Sequence, residues 1–310
     1  MTSPQELRII SLLPGATELV AALGLTNQLV GRSHECDYPP QVRQLPACTE
    51  ARLNSEKPSA AINTDVQQLV ENALSIYQVK TDLLQQLQPT HILTQDQCDV
   101  CAVSVGDVEN AISQLTHLQP QIISLQPNNL EEVWDDLERV AKILEVPFSS
   151  TLAQLQGRVA LCQQTTQVLE PQQRPTVAAL EWTDPLMGAG NWIPELIGLA
   201  GGKPLFAEVG KHSPVIQWED LKQADPDIIV IMPCGFDLER TMKESMVLTQ
   251  NPGWSDLKAV QKQQVYVTDG NAYFNRPGPR LVDSLEMLAE IVHPELFQFG
   301  YVGTGWEYFS

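Results

Sequence analysis

No stretch of this chain stays apolar for the roughly 18 to 20 residues that a membrane-spanning helix needs, so direct insertion into a bilayer is not expected. Basic residues are scarce: 19 Lys and Arg stand against 38 Asp and Glu, a formal net charge of -19. A surface this acidic repels nucleic-acid phosphates and anionic lipid, which argues against both as partners. Four catalytic signatures are missing: a P-loop, a G-x-G-x-x-G turn after the first strand, a G-x-S-x-G elbow and an H-E-x-x-H helix. Their absence removes the motif-based arguments for nucleotide, dinucleotide, hydrolase and zinc-protease chemistry. No repeat of 20 to 50 residues is seen, and apart from a Gln enrichment there is no low-complexity tract. A secretory signal is also not visible. Residues 1–6 are polar, and the first apolar run, 9–13, is broken by Ser11 and followed by Pro14. The chain is therefore expected to be periplasmic if a leader has been removed, and cytoplasmic if Met1 is the native start.

What is present is an ordinary globular composition. At 310 residues and 43% hydrophobic content the chain is long enough for two cores. Short β-rich runs alternate with helical ones: strands at 7–12, 29–32, 91–94 and 122–125, helices at 16–23, 66–74, 81–87 and 108–115. The same alternation resumes after Pro175, with strands at 176–180, 227–232 and 265–268. Helices are expected there at 192–200, 218–224, 238–248 and 279–293. Such alternation predicts α/β lobes with mainly parallel sheets covered by helices. Between the halves, Leu130, Val133, Trp134, Leu137, Val140, Ala141 and Leu144 recur at helical spacing, which predicts Trp134 in the core. A second helix follows from about Phe148 to Val168, with Pro147 in its first turn and Pro171 beyond its end. The expected organisation is an N-terminal lobe at 1–146, a connecting helix at 147–171 and a C-terminal lobe at 172–310.

Ligands of open α/β sheets sit beyond the carboxyl ends of the strands, which directs attention to the loops there. These loops hold Pro14 and Gly15; His34, Glu35 and Cys36; Cys98 and Cys101; Trp182 and Asp184; Cys234; and Tyr273, Phe274 and Arg276. Aromatic walls with a few polar groups describe a small-molecule site. Cys98-x-x-Cys101 is the sharpest local pattern. It reads as a redox pair, as half of a metal site completed by His34 and Cys36, or as packed thiols. Six cysteines in a chain of this length read mostly as reduced thiols. Trp182 is either a stacking surface for a flat macrocycle or a core residue at a strand end. Arg276 pairs either with an anionic or amide group of the ligand or within the fold. Glu18 reads as a first-turn charge, Asn191 as the N-cap of a helix starting at Trp192, and His117, His212 and His293 as surface residues.

The block Ile10-Ser11-Leu12-Leu13-Pro14-Gly15-Ala16-Thr17-Glu18, with Leu23-Gly24-Leu25 and Val30-Gly31 after it, resembles the opening of the periplasmic cobalamin-binding proteins of ABC importers. Asp225-Pro226-Asp227-Ile228-Ile229-Val230, Val265-Tyr266 and Arg276-Pro277-Gly278-Pro279-Arg280 follow in the same order, so the resemblance covers nearly the whole chain. It implies the helical-backbone class of substrate-binding proteins, whose members also carry siderophores, haem and metal ions. It further implies two α/β lobes joined by one helix, a ligand in the cleft and no catalysis. By this resemblance Tyr273, Phe274 and Arg276 fall in a ligand loop, and Asp82 and Glu219 match acidic residues that dock the permease. Where the cobalamin binders carry an aromatic residue before Asp37-Tyr38-Pro39, this chain has His34-Glu35-Cys36. The expected protein is a monomer that takes a corrinoid or related metal chelate as cargo and has no catalytic cofactor. Two other readings remain open at this point: a cytoplasmic metal or tetrapyrrole carrier or sensor of the same fold, and a thiol-dependent enzyme on this scaffold.

Overall fold

The computed structural model describes residues 6–52, 54–71, 76–95, 104–113 and 119–309. The chain divides into two compact units. The first comprises Met1–Lys57, Ala61–Pro127 and Glu131–Leu152, and the second Pro58–Ala60, Asn128–Leu130 and Ala153–Ser310.

In the first unit, β1 (Ile9–Ser11) runs into α1 (Pro14–Ala22) and on to β2 (Leu29–Arg32). Next come β3 (Thr49–Ala51), α2 (Ser59–Glu71), β4 (Tyr77–Val79), α3 (Thr81–Leu87) and β5 (His91–Gln95). The run closes with α4 (Val105–Ser113), β6 (Gln121–Leu125) and α5 (Leu130–Ile143). Four strands form a parallel sheet in the order β2-β1-β5-β6, and β3 pairs with β4 as a separate antiparallel ribbon. Parallel strands need apolar cover on both faces. Ile10, Leu12 and Ile92 supply it from the sheet, and Leu84 and Val108 from the helices. Pro14 opens α1, where its missing N–H costs nothing. Along α5, Leu130, Val133, Leu137, Val140 and Ala141 are buried at the expected spacing. Trp134 departs from the expectation: it is half-exposed, one step off that stripe. Glu18 also departs. It lies in the body of α1 and is buried, so it is not a first-turn surface charge.

α6 (Ser149–Thr166) is 18 residues long, about 27 Å at 1.5 Å per residue, and the division between the units falls inside it. The second unit continues with β7 (Thr176–Thr183), β8 (Leu186–Gly188), α7 (Ile193–Leu199), β9 (Lys203–Pro204), α8 (Trp218–Ala224) and β10 (Ile228–Ile231). It ends with α9 (Leu238–Ser245), α10 (Lys258–Gln261), β11 (Val265–Thr268), α11 (Leu281–Val292) and β12 (Trp306–Tyr308). Its sheet runs β12-β11-β10-β7-β8, with β9 also on β7. β7, β9, β10 and β11 are parallel, and the edge strands β8 and β12 are antiparallel. The core gathers Ala178, Leu180, Ile229, Ile231 and Val267 from the sheet and Leu221, Trp254 and Leu257 from the cover.

α11 is buried along nearly all of its length, including two carboxylates that would be costly without partners. Glu286 accepts two bonds from Arg158 of α6, at 2.8 and 2.5 Å, and one from the Tyr301 hydroxyl at 2.8 Å. Glu290 accepts from the Trp306 indole at 3.0 Å and from the backbone of Gly300 and Tyr301. Beside α11, His293 is buried and not on the surface as expected. Its Nδ1 lies 3.0 Å from Glu295 and its Nε2 3.3 Å from the Gly201 carbonyl. The start of α7 also differs from expectation. Trp192 is the N-cap, Asn191 adopts φ of 51°, and the Trp192 indole donates to the Phe274 carbonyl at 2.8 Å.

Candidate functional site

In the first unit the loops at the carboxyl ends of β1 and β2 are filled with small polar groups. Pro14 and Gly15 form the first turn of α1, and Thr17 of that helix donates to Ser11 Oγ at 2.8 Å. Cys36 is 1% exposed, with Sγ 3.0 Å from Thr17 Oγ1. Its thiol is packed against α1.

His34 is drawn the other way. Its backbone N–H and its Nδ1 both meet Thr49 Oγ1, at 3.1 and 2.8 Å, while the Thr49 hydroxyl donates to Ser33 Oγ at 3.0 Å. Thr49 has one hydroxyl proton; when Ser33 receives it, Nδ1 is the donor to Thr49 and the neutral ring keeps its lone pair on Nε2. Burial, then the charges of Lys80 and Arg32, push the His34 pKa down and favour this neutral form. Its ring centroid is 5.5 Å from that of Tyr77, whose hydroxyl donates to Glu35 at 3.1 Å. The neighbouring Cys48 thiol is pushed up to about 11 by burial and stays protonated. Cys98 and Cys101 lie outside the described residues. Among the described residues no group of three or more His, Cys, Asp or Glu side chains converges to hold a metal ion by itself.

The second unit is built differently. Trp182 stands near the end of β7, half-buried, its indole donating to the Asp184 carbonyl at 3.0 Å. Asp184 itself is exposed at the turn into β8. The Trp182 ring lies 5.2 Å from Phe236, tilted by 46°. Arg240, in the first turn of α9, holds its guanidinium 3.8 Å from the Phe236 centroid. Phe236 is 2% exposed, so it carries both neighbours as a fixed support. Sequence reasoning reached Pro233-Cys234-Gly235 and stopped one residue short of Phe236. Arg240, on a helix after a loop, gave no motif to find.

After β11 the chain makes a π-helical turn at Gly270–Phe274, capped by Asp269, whose carboxylate accepts from Ala272 N at 2.7 Å. This turn is laced to the loop after β10. Asn271 N donates to the Phe236 carbonyl at 3.0 Å, and Asn275 Nδ2 to the Met232 carbonyl at 3.0 Å. Gly270 has to be glycine, because an added Cβ would strike the backbone of Met232 and Pro233. Phe274 is fully buried and anchors the turn; Tyr273 is half-buried and is the aromatic ring the turn presents. Arg276 is 4% exposed and donates to Asn271 Oδ1 at 3.1 Å.

Asp82 and Glu219 are exposed, each the second residue of a seven-residue helix, α3 and α8. The two segments share one plan. Each helix ends in a left-handed residue (Gln88, φ 47°; Asp225, φ 41°), continues through a proline, Pro89 or Pro226, and enters a buried parallel strand. This local correspondence between the units escaped the search for repeats because the residues differ while the backbone agrees.

The chain matches the periplasmic binding protein family over residues 9–272, and it belongs to that family. A vitamin B12-binding protein of Vibrio cholerae is 25% identical over 292 residues, which cover 91% of this chain and 87% of that protein. A vitamin B12-binding protein of Photorhabdus laumondii is 26% identical over 287 residues, covering 92% and 87%. Among solved structures, the periplasmic vitamin B12 binding protein of Vibrio cholerae superposes with a TM-score of 0.63 at 20% identity, over 94% of this chain and 98% of that one. A periplasmic haem-binding protein of a Roseiflexus species gives 0.68 at 21% identity, over 94% and 99%. These structures establish the mixed α/β fold of helical-backbone binding proteins. The chain is a binding protein and not an enzyme, so the thiol-enzyme reading falls. Among the described residues no helix is long and apolar enough to cross a membrane.

Proposed function

We propose that this chain captures a flat metal chelate, a corrinoid or a related tetrapyrrole, and hands it to the permease of an ABC importer on the outer side of the cytoplasmic membrane. The observation that carries this reading is the ledge at the carboxyl edge of the second sheet, where Trp182 lies against a buried Phe236 that also carries Arg240. Flat apolar area with a cation at its margin suits a macrocycle bearing polar arms. Tyr273, in a turn laced to the same ledge, extends the ligand surface, and the buried Arg276 braces that turn through Asn271. In the first unit, Pro14, Gly15 and Glu35 are the proposed contacts. His34, beside them, would offer an imidazole nitrogen to a chelated metal. Relatives named for vitamin B12 and neighbours named for haem support the chelate class. Asp82 and Glu219, repeated on one backbone plan, are the residues that meet basic groups of the permease.

Titration calorimetry with cyanocobalamin, cobinamide, haemin and a ferric siderophore tests the reading. One of the first three is expected to bind, and Trp182→Ala to weaken it about tenfold or more, the scale of a lost aromatic stacking surface. Failure of all four to bind overturns the chelate assignment. Reversing both charges, Asp82→Arg with Glu219→Arg, is expected to abolish capture by the permease while chelate affinity stays unchanged; unaltered capture removes the docking role.

A further inference from the structure

Tyr273 is held from two sides. On one, the Arg280 guanidinium lies 4.3 Å from the Tyr273 ring centroid. On the other, the Tyr301 ring meets it edge-on with centroids 6.3 Å apart. Both neighbours are tied to the same place. Arg280 Nε is 3.5 Å from Asp283 Oδ2, and Asp283 Oδ1 is 2.6 Å from Arg158 of α6. Arg158 also grips Glu286, which accepts the Tyr301 hydroxyl. The contacts therefore close into a ring: Tyr273, Arg280, Asp283, Arg158, Glu286, Tyr301 and back to Tyr273.

The Arg280 side chain is 13% exposed, so the guanidinium is largely out of water where it faces the ring. Removing water strengthens attraction between a cation and an aromatic face. Hydrogen bonding to Glu286 favours the charged form of Arg158 and raises its pKa, so the charge at the centre of the ring stays fixed. A planar guanidinium can lie on the tyrosine face and bond a carboxylate at its edge at once; an ammonium cannot do both in the same way.

We propose that Arg280 is a positioning residue for Tyr273, setting the angle at which that ring meets the cargo, and this rests on the reading of Tyr273 as a ligand contact. Arg280 itself does not touch the chelate. α6 takes part through Arg158, which anchors the carboxylate that orients Arg280.

Affinity for cyanocobalamin and haemin, measured by calorimetry on the intact chain, provides the first test. Arg280→Gln is expected to weaken whichever probe binds by roughly five- to tenfold, the scale of one desolvated cation–π contact. Tyr273→Ala is expected to weaken it at least as much, and the double variant no further than Tyr273→Ala alone. Arg280→Lys is expected to restore part of the loss. The second test needs no ligand: NMR of ring-labelled tyrosine should show faster flipping of the Tyr273 ring in Arg280→Gln. An unchanged flip rate, or additive affinity losses in the double variant, overturns the proposal. Faster flipping with full probe affinity in both single variants upholds the positioning role and overturns the placing of Tyr273 at the ligand. If Arg280→Gln does not fold, the same comparisons are made with Arg280→Lys.

Discussion

The carboxyl ends of the two sheets solve different problems. At the first, Ser11, Thr17, Ser33, Thr49, His34 and Cys36 bond mostly to one another and to the backbone. Short polar side chains spend their donors in fixing the loops, and little flat surface is left. At the second, the Trp182 ring lies tilted against Phe236, Arg240 lies over Phe236 and Arg280 over Tyr273. Such contacts fix position through area, and on the proposed reading the same area meets the ligand. The first set can supply direction, such as the imidazole of His34, and the second can supply contact.

The strongest way to break this contrast is to remove the support of the second set. Phe236→Ala is expected to cost about 3–5 kcal/mol of unfolding free energy in urea, the range for deleting a fully buried phenylalanine. Chelate affinity is expected to fall with it as Trp182 and Arg240 lose their common partner. A cost under about 1 kcal/mol would show that Phe236 supports neither.

A smaller effect separates the units by pH. His34 has a lowered folded-state pKa, so the unfolded chain takes up a proton first, near its ordinary value of about 6.5. Its contribution to stability is therefore full above that value and declines as pH falls below it. Asp227 of the second unit behaves otherwise. Burial pushes its carboxyl up, but the Lys258 ammonium and two Thr176 donors outweigh burial and hold it at about 2. Its contribution is present above about 3.9 and is lost as pH falls toward 2. Urea midpoints followed from pH 7 to 3 should lose the upper slope in His34→Asn and keep the lower one, with the reverse in Asp227→Asn. If both variants lose the same slope, the assignment of one pH window to each unit is wrong.

Much of the fold was legible because strong punctuation brackets its elements. α3, α8, β2 and β11 fall where periodicity and flanking residues put them. β3, β4, β8 and β12 were not legible. Each is a three-residue strand, and a strand that short carries too little alternation to stand out. The candidate site was chosen from the sequence as a set of loops, since the strand-end rule points to them whatever their residues. It was not legible as a set of partners. Nothing in the sequence shows that Cys36 faces Thr17 while His34 faces Thr49, or that Phe274 turns inward and Tyr273 does not. These choices depend on which side of a turn the backbone presents, and a π-helical turn breaks the spacing by which such sides are counted.

The lacing of the turn at Gly270 to the loop after β10 bears on how such a protein can change. With Asn271 bound to the Phe236 carbonyl, Asn275 to Met232, and no room for a side chain at Gly270, neither loop can lengthen or shift alone. A change in the backbone that carries Phe236 or Tyr273 therefore has to be accommodated by both loops. The hairpin of β7 and β8, with Trp182 and Asp184, lies outside that lacing. On the proposed reading, substitution at the hairpin tip changes cargo preference while the paired loops keep their register.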